Sequence, residues 1–381
     1  MSIHLPKPDL HGQDISCKLS EQLNQELFAG GGWMRFDQYM HRVLYDPELG
    51  YYNNGSQKFG SAGDFVTAPE LSEVFAQSLA EPIIDILAQM NNPVIIEFGA
   101  GTGRLAEGLI SALSARSIAP RYCILETSAE LRARQRSRLA DAKTQVEWLE
   151  KLPTELFQGV VLANEVLDAF PAICFVKRGC KVRPLGVRVE EGTLVWAEGA
   201  EEAPLSEMVE AIEARLGHVF PDGFRSEISP ARNAWISSIA GVMQKGAILT
   251  IDYGLTEREY YHEQRNSGTL ACYFKHRMHH DPFLWPGLQD ISTWVDFSAC
   301  ARAAEEAGLS VAGYTTQGQF LVNGGAIRQL DFANSAAAIQ TAQALKTLVL
   351  PGEMGERFKV LLLSHNLQLN PLPGRDFRGR L

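Results

Sequence analysis

Hydrophobic positions along this chain alternate between two rhythms, short apolar runs and stretches repeating every three or four residues. Val94-Ile95-Ile96-Glu97-Phe98 is rich in β-branched side chains, is closed by Gly99, Gly101 and Gly103, and is followed by helix formers through Ile110. It predicts a buried strand, a tight turn and a helix start. Short apolar runs at 122–125, 146–149, 159–163 and 247–254 predict further strands. Helical spacing fills the intervals. Val74, Phe75, Leu79, Ile83, Ile84 and Leu87 share one face despite Pro82, with Thr67 or Ser72 as the cap, and 129–139 and 229–244 are also helical. Strands that alternate with helices imply an α/β fold with a mostly parallel sheet covered on both faces. Further on, 297–307 and 332–348 read as helices and 309–314 and 358–363 as strands, whereas 320–322 is too short to place.

Two stretches break the rhythm. Between Ile173 and Ala197, apolar alternation around Arg178-Gly179 and Glu191-Gly192 predicts hairpins, followed by a helix near 205–216. A loop-rich segment runs from 255 to 294. The expected organisation is an N-terminal helical and loop region (1–70), a core (71–172 with 229–365), a hairpin and helical insertion (173–228), a loop-rich insertion (255–294) and a tail (366–381). Within the first region, 1–18 is polar, contains Pro6 and Pro8, and reads as a tail or clamp, with helices expected at 19–29 and 34–45.

Composition narrows the function. A formal charge of −10 and a pI near 5.5 argue against a nucleic-acid binder, and 45% hydrophobic residues can build a full core. Six scattered cysteines without a C-x-x-C pair read as reduced thiols of a cytoplasmic protein. No apolar run approaches the roughly 20 residues that span a bilayer, and the first residues do not resemble a signal peptide.

The glycine loop carries the first chemical candidate. Glycines allow positive φ and leave no Cβ between backbone and ligand, and free N–H groups at a helix start can meet a carboxylate or phosphate. A dinucleotide fingerprint needs glycines at the first, third and sixth positions, but the sixth position counted from Gly99 is Arg104. That disfavours an NAD-dependent oxidoreductase. Short glycine turns also occur with no ligand at all. Glu126, at the end of the second strand, stands where a carboxylate accepts hydrogen bonds from both ribose hydroxyls, a solvated strand-end glutamate being the bland alternative.

The polar cluster Asn164-Glu165-Val166-Leu167-Asp168-Ala169-Phe170-Pro171 ends the fourth strand, at the edge that borders the ligand crevice of open α/β sheets. Glu165 and Asp168 could hold a guanidinium bidentately; capping of a following helix by Asp168 competes with that reading. His276, His279 and His280 with Asp281 invite a metal, but they sit in an irregular insertion, and no metal is expected. His276 alone could line a substrate pocket.

Glu97 followed by G-x-G-x-G looks like the first motif of class I S-adenosylmethionine-dependent methyltransferases, in which the loop faces the methionine half of the cofactor. With Gly63-Asp64-Phe65-Val66-Thr67-Ala68-Pro69-Glu70, Glu126-Thr127-Ser128 with Leu131 and Gln135, the 163–171 cluster, Glu227-Ile228-Ser229-Pro230, Ile251-Asp252-Tyr253-Gly254, Gly268-Thr269-Leu270 and the 281–297 stretch, the chain resembles the MidA-like family of these enzymes over about residues 30–365. That family includes the mitochondrial complex I assembly arginine methyltransferase. Ala100, Thr127-Ser128 and Ala271 depart from its usual pattern, the last at a position where a basic residue is common.

The resemblance implies a class I, Rossmann-like methyltransferase fold with N-terminal helices and insertions, and S-adenosylmethionine as cofactor. Glu97, Gly99, Gly101, Gly103, Glu126, Thr127 and Asn164 are the residues expected to bind it. Glu165 and Asp168 are the expected catalytic pair, with Asp64, Glu70 and His276 next in line. The activity implied is protein arginine methylation, on a protein partner such as a respiratory-complex subunit or its assembly intermediate, and a homodimer is left open. A non-catalytic assembly factor that keeps the fold as a scaffold is the alternative from a different class.

Overall fold

The structure is a computed structural model that describes residues 5–55, 67–326 and 336–381. These residues form two units: one falls within 1–65, 169–231 and 257–294, the other within 66–168, 232–256 and 295–381.

The second unit holds the main sheet. Its strands are β1 (Val94–Phe98), β2 (Arg121–Leu125), β3 (Val146–Leu149), β4 (Phe157–Asn164), β5 (Met243–Leu255), β6 (Ser310–Thr316) and β7 (Phe358–His365). They lie in the spatial order β6-β7-β5-β4-β1-β2-β3, with Val295–Asp296 paired beside the end of β5. Neighbours from β5 to β3 run parallel. β7 alone is reversed, antiparallel to both β5 and β6. The two closing strands expected from the sequence are therefore present, with the reversal confined to the last.

Central strands of this kind are apolar throughout because helices cover both faces. Ile95, Ile96, Val160, Val161, Leu162, Ile248, Leu249 and Leu361 are all buried, and Phe75, Leu79, Ile83, Leu105, Leu109 and Leu113 of the flanking helices share one core with Ile95, Val160, Leu162 and Leu249. Helix Glu73–Leu87 starts at Ser72, whose side chain accepts from Val74 N–H, and tolerates Pro82 inside it. The chain runs outward from β1 to β2 and β3, then returns to build β4 and β5 on the other side. That reversal makes the carboxyl ends of β1 and β4 a topological switch point, where such sheets hold ligands.

In the first unit, Lys181–Glu190 pairs with Ile173–Arg178, Met34–Arg35 and Thr193–Glu198, and Arg225–Ile228 pairs with the other side of Ile173–Arg178. The predicted hairpins are found, whereas strand Arg225–Ile228 was not foreseen. Lys177 and Glu213, both buried, meet at 2.7 Å, and the Phe220 N–H completes the carboxylate's shell. A buried ion pair needs such additional hydrogen bonds to offset its desolvation.

Two expectations are corrected, and one unplaced segment finds its element. The polar tail ends well before residue 18: helix Leu10–Ala29 is capped by Asp9 and buries Ile15, Leu19, Leu23 and Leu27, one stripe with a spacing of four. Residues 320–322 belong to helix Gln317–Asn323, capped by Thr316. The segment 255–294 is more regular than a loop, since Ala271–Phe274 pairs with Arg277–His279 and Asp290–Ser292 in a small antiparallel sheet. Of the helix expected at 332–348, Ala336–Val349 is observed, and the earlier residues lie outside the described ones. No helix among the described residues is long and apolar enough to cross a membrane. All six cysteines are free.

Candidate active site

β1 ends in the glycine loop. Gly99, Gly101 and Gly103 adopt φ of 59°, 52° and 82°, alternate left-handed residues that fold the loop tightly before helix Arg104–Ser114 begins. A side chain in this region is strained, which is the physical need for glycine there. At Gly99 the space is limited as well, since a Cβ would come within 3.2 Å of Val166 Cγ2. Thr102 binds Glu70, which fastens the loop to helix Ala68–Leu71.

Glu97 is the last residue but one of β1, and Glu126 directly follows β2. Glu97 is 2% exposed, and the Tyr122 hydroxyl donates to it at 2.7 Å. Burial pushes its carboxyl up to about 7 against the pull of that hydrogen bond, with the nearby Glu126 adding to the rise. Glu126 is buried, not solvated: its carboxylate accepts from Ser128 N–H at 3.0 Å and from Gln135 Nε2 at 3.1 Å. Burial raises its pKa, and those donors oppose the rise. Thr127 beside it is exposed. Ser128 then caps helix Ala129–Arg138.

In Glu97 the folded-state pKa lies above the ordinary 4.5, so the neutral form is the favoured one in the fold. Its contribution to stability is complete below about 4.5 and is lost as pH rises through about 7. Glu97→Gln, whose carbonyl can still accept from Tyr122, should therefore gain stability relative to the parent between pH 5 and pH 8, by on the order of 3 kcal/mol. Urea unfolding of the ligand-free proteins at both pH values measures it; a pH-independent difference would remove the claim.

The turn after β4 holds the proposed reacting side chains. Glu165 is a non-glycine residue at φ 53°, and its N–H donates to Ile251 O of β5 at 2.9 Å. One of its oxygens accepts from Asn164 Nδ2 at 3.3 Å and from Ala68 N–H at 3.4 Å. Asn164 Oδ1 is a buried acceptor with no hydrogen-bond partner among the described residues. Asp168 is buried, and the chain proceeds from it to strand Ile173–Arg178 with no helix that it could cap in between. Capping of a following helix is therefore excluded.

What fixes this turn escaped the sequence reading. Asp252, fully buried in β5, accepts three successive backbone N–H groups through one oxygen: Val166 at 3.2 Å, Leu167 at 2.8 Å and Asp168 at 3.2 Å. From the other side, the buried Arg232 Nε donates to Leu167 O at 2.6 Å. Burial first, then the charges of Asp168 and Glu165, hold the Asp252 carboxyl well above the usual range, while Arg232 works the other way. Asp168 and Glu165 thus act on Asp252 as like charges and Arg232 as an opposite one. An acid inside an otherwise apolar strand was the available signal for Asp252.

Of the other candidates, Glu70 is the one bound to Thr102 of the glycine loop. His276 is in the other unit, at the turn between Ala271–Phe274 and Arg277–His279, with φ 60°. His279 is buried and accepts from Asp281 N–H, while His280 Nδ1 lies 3.1 Å from Leu270 O. No group of three or more His, Cys, Asp or Glu among the described residues could hold a metal. Asp64 and residues 63–66 of its motif lie outside the described residues.

A glycine loop, two strand-end acids and an acidic turn thus gather at the carboxyl ends of adjacent parallel strands. Residues 78–315 match the family model described as "Putative S-adenosyl-L-methionine-dependent methyltransferase". The chain belongs to this family of methyltransferases. Among solved structures, a Burkholderia thailandensis protein with S-adenosyl-homocysteine bound is 39% identical, with 98% of this chain and 99% of that one covered and a TM-score of 0.91. A native structure from the same organism is 40% identical, with a TM-score of 0.87 and the same coverage. Among curated proteins, the mitochondrial "Protein arginine methyltransferase NDUFAF7 homolog" of Drosophila melanogaster is 26% identical over 91% of this chain and 84% of its own length. The Homo sapiens protein arginine methyltransferase NDUFAF7 is 25% identical over 86% of this chain and 79% of its own. S-adenosylmethionine is the family's cofactor, and the MidA-like resemblance and class I fold expected from the sequence are borne out. Arg104, at the sixth position where a dinucleotide fingerprint needs glycine, is ion-paired to Glu107 and Glu73.

Proposed function

We propose that this methyltransferase methylates a guanidinium nitrogen of arginine on a protein substrate, and that Glu165 and Asp168 hold the acceptor. The carrying observation is the grouping of Glu165, Asp168 and Asp252 at one strand-end turn, whose backbone Asp252 and Arg232 hold in place. The protein arginine methyltransferase activity of the 25–26% identical relatives supports the same reading.

The residues present fit the cofactor. The loop with three left-handed glycines brings bare backbone to the crevice, Glu126 keeps acceptor capacity for a ribose diol, and Asn164 has a buried oxygen awaiting a donor. We assign Glu97, Gly99, Gly101, Gly103, Glu126, Thr127 and Asn164 to cofactor binding. When bound, S-adenosylmethionine supplies a methyl group on a positively charged sulfur. Glu165 and Asp168 orient the planar guanidinium and bias its charge away from the attacking nitrogen. As the new N–C bond forms and the C–S bond breaks, the acceptor nitrogen gives up a proton, and a carboxylate of this pair receives it or passes it to solvent. The turn clamped by Asp252 and Arg232 supplies the rigidity that in-line attack requires.

Calorimetry should show S-adenosyl-homocysteine bound in preference to NAD, and mass spectrometry of cells with and without this chain should reveal methylarginine sites that depend on it. Methylation that depends on the chain but falls on another residue type would retain the methyltransferase and overturn the arginine assignment.

A further inference from the structure

We propose that Gln135 is a positioning residue for the cofactor, locking the glycine loop and the Glu126 carboxylate into one geometry, while the Trp148 indole fixes which way its amide points. The proposal rests on the cofactor placement given above.

Gln135 lies on helix Ala129–Arg138 and is 0% exposed. Its Nε2 donates to Gly101 O at 2.9 Å and to Glu126 Oε2 at 3.1 Å. Its Oε1 accepts from Trp148 Nε1 at 2.9 Å. One buried amide thereby joins the loop after β1, the acid after β2 and the side chain of a β3 residue. A buried amide in low-dielectric surroundings is costly unless every group is matched, and here both ends are.

The match permits a single orientation. An indole N–H only donates, a backbone carbonyl only accepts, and an ionised carboxylate only accepts. Turning the amide over would set its oxygen against Gly101 O and Glu126 Oε2 and its NH2 against the indole N–H. Trp148 therefore selects the orientation that Gly101 and Glu126 need. Contact with the loop is also steric, since a Cβ at Gly103 would stand 3.4 Å from Gln135 Cγ.

Gly101 and Glu126 serve opposite ends of the same ligand, the loop toward its methionine half and the acid toward its ribose. Holding both before binding removes an ordering cost that would otherwise be subtracted from affinity. Gln135 also occupies one oxygen of Glu126 while Ser128 N–H occupies the other, which aims the remaining lone pairs.

Calorimetry on the full chain tests this, with S-adenosyl-homocysteine and with 5′-methylthioadenosine, the same thionucleoside without the amino-acid half. Gln135→Met, of similar volume but without donors, should weaken S-adenosyl-homocysteine by about 10- to 100-fold, the scale on which outer partners act at metal sites. The loss should be larger for S-adenosyl-homocysteine than for methylthioadenosine, because only the former engages the loop through an amino-acid group. Trp148→Phe, which keeps a ring and removes the donor, should cost about 3- to 10-fold, one hydrogen bond's worth. In the Gln135→Met background the same change should cost nothing further. A purely structural role would weaken both ligands alike and leave the two substitutions additive.

Unchanged S-adenosyl-homocysteine binding by Gln135→Met, equal losses for the two ligands, or an undiminished Trp148→Phe effect in the double variant would each overturn the proposal. Should Gln135→Met fail to fold, Trp148→Phe alone decides, through its expected loss and its expected difference between ligands. A parent protein that binds neither ligand would instead overturn the cofactor placement.

Discussion

Glu165→Gln should lower the rate of methyl transfer on the order of 100-fold while leaving S-adenosyl-homocysteine affinity within about 2-fold, since it removes an electrostatic contribution needed mainly in the transition state. The geometry says why the amide is a fair probe. One Glu165 oxygen already accepts from Asn164 Nδ2 and Ala68 N–H, and a glutamine carbonyl can keep both. Its NH2 then replaces the other oxygen and presents donors where a guanidinium needs an acceptor. The backbone at φ 53° is unaffected, because glutamine suffers the same left-handed strain as glutamate. The loss should appear in kcat and in kcat/KM for the protein acceptor, with little change in KM for the cofactor. Normal methylation by this variant would remove Glu165 from the mechanism, and Glu70, bound to Thr102 of the glycine loop, would be the next residue to test.

The elements that could be read from the sequence are those whose cause is local. Alternate glycines after a β-branched run can do little other than turn, and Ser72, one of the two caps expected for the helix with the apolar face, caps it. Helix Leu10–Ala29 was misjudged because Pro6, Pro8 and a polar surface outweighed a stripe that only becomes visible at a spacing of four. Strand Arg225–Ile228 went unseen because its existence depends on pairing with Ile173–Arg178, far earlier in the chain.

The candidate site divides in the same way. Glu165 and Asp168 stand out as acids interrupting an apolar strand end, so their nomination needed only the local pattern. Asp252 and Arg232 hold that turn from positions that become neighbours only when β5 pairs with β4, at the register that sets Ile251 against Asn164. Gln135 likewise reads as one polar residue on a basic helix until the loop, the acid and the indole converge on it. The carboxylate turn is thus a local statement in sequence, while its rigidity is a tertiary one.

Gly101→Val should abolish detectable methyl transfer and weaken S-adenosyl-homocysteine by more than about 100-fold, with the fold retained. Gly101 sits at φ 52°, where a β-branched residue is a steric outlier costing on the order of 1–3 kcal/mol. That strain can be relieved only by moving the peptide whose carbonyl accepts from Gln135, so the loop and the Glu126 carboxylate lose their shared anchor. The added isopropyl group would also stand where the bare backbone is proposed to meet the ligand. Gly101→Ala, with one methyl and no branching, should lose less on both measures. The main core lies elsewhere, in the interior of the sheet and its helices, so the melting temperature should fall by only a few degrees for a unit of this size. This variant also separates the enzyme from the scaffold alternative. If methylarginine sites in cells vanish with Gly101→Val while partner proteins are still co-purified, methyl transfer is the chain's chemistry and any partner binding is a separate property. If the variant binds S-adenosyl-homocysteine as the parent does, the glycine loop is not the cofactor's seat and the placement of every residue around it must be withdrawn.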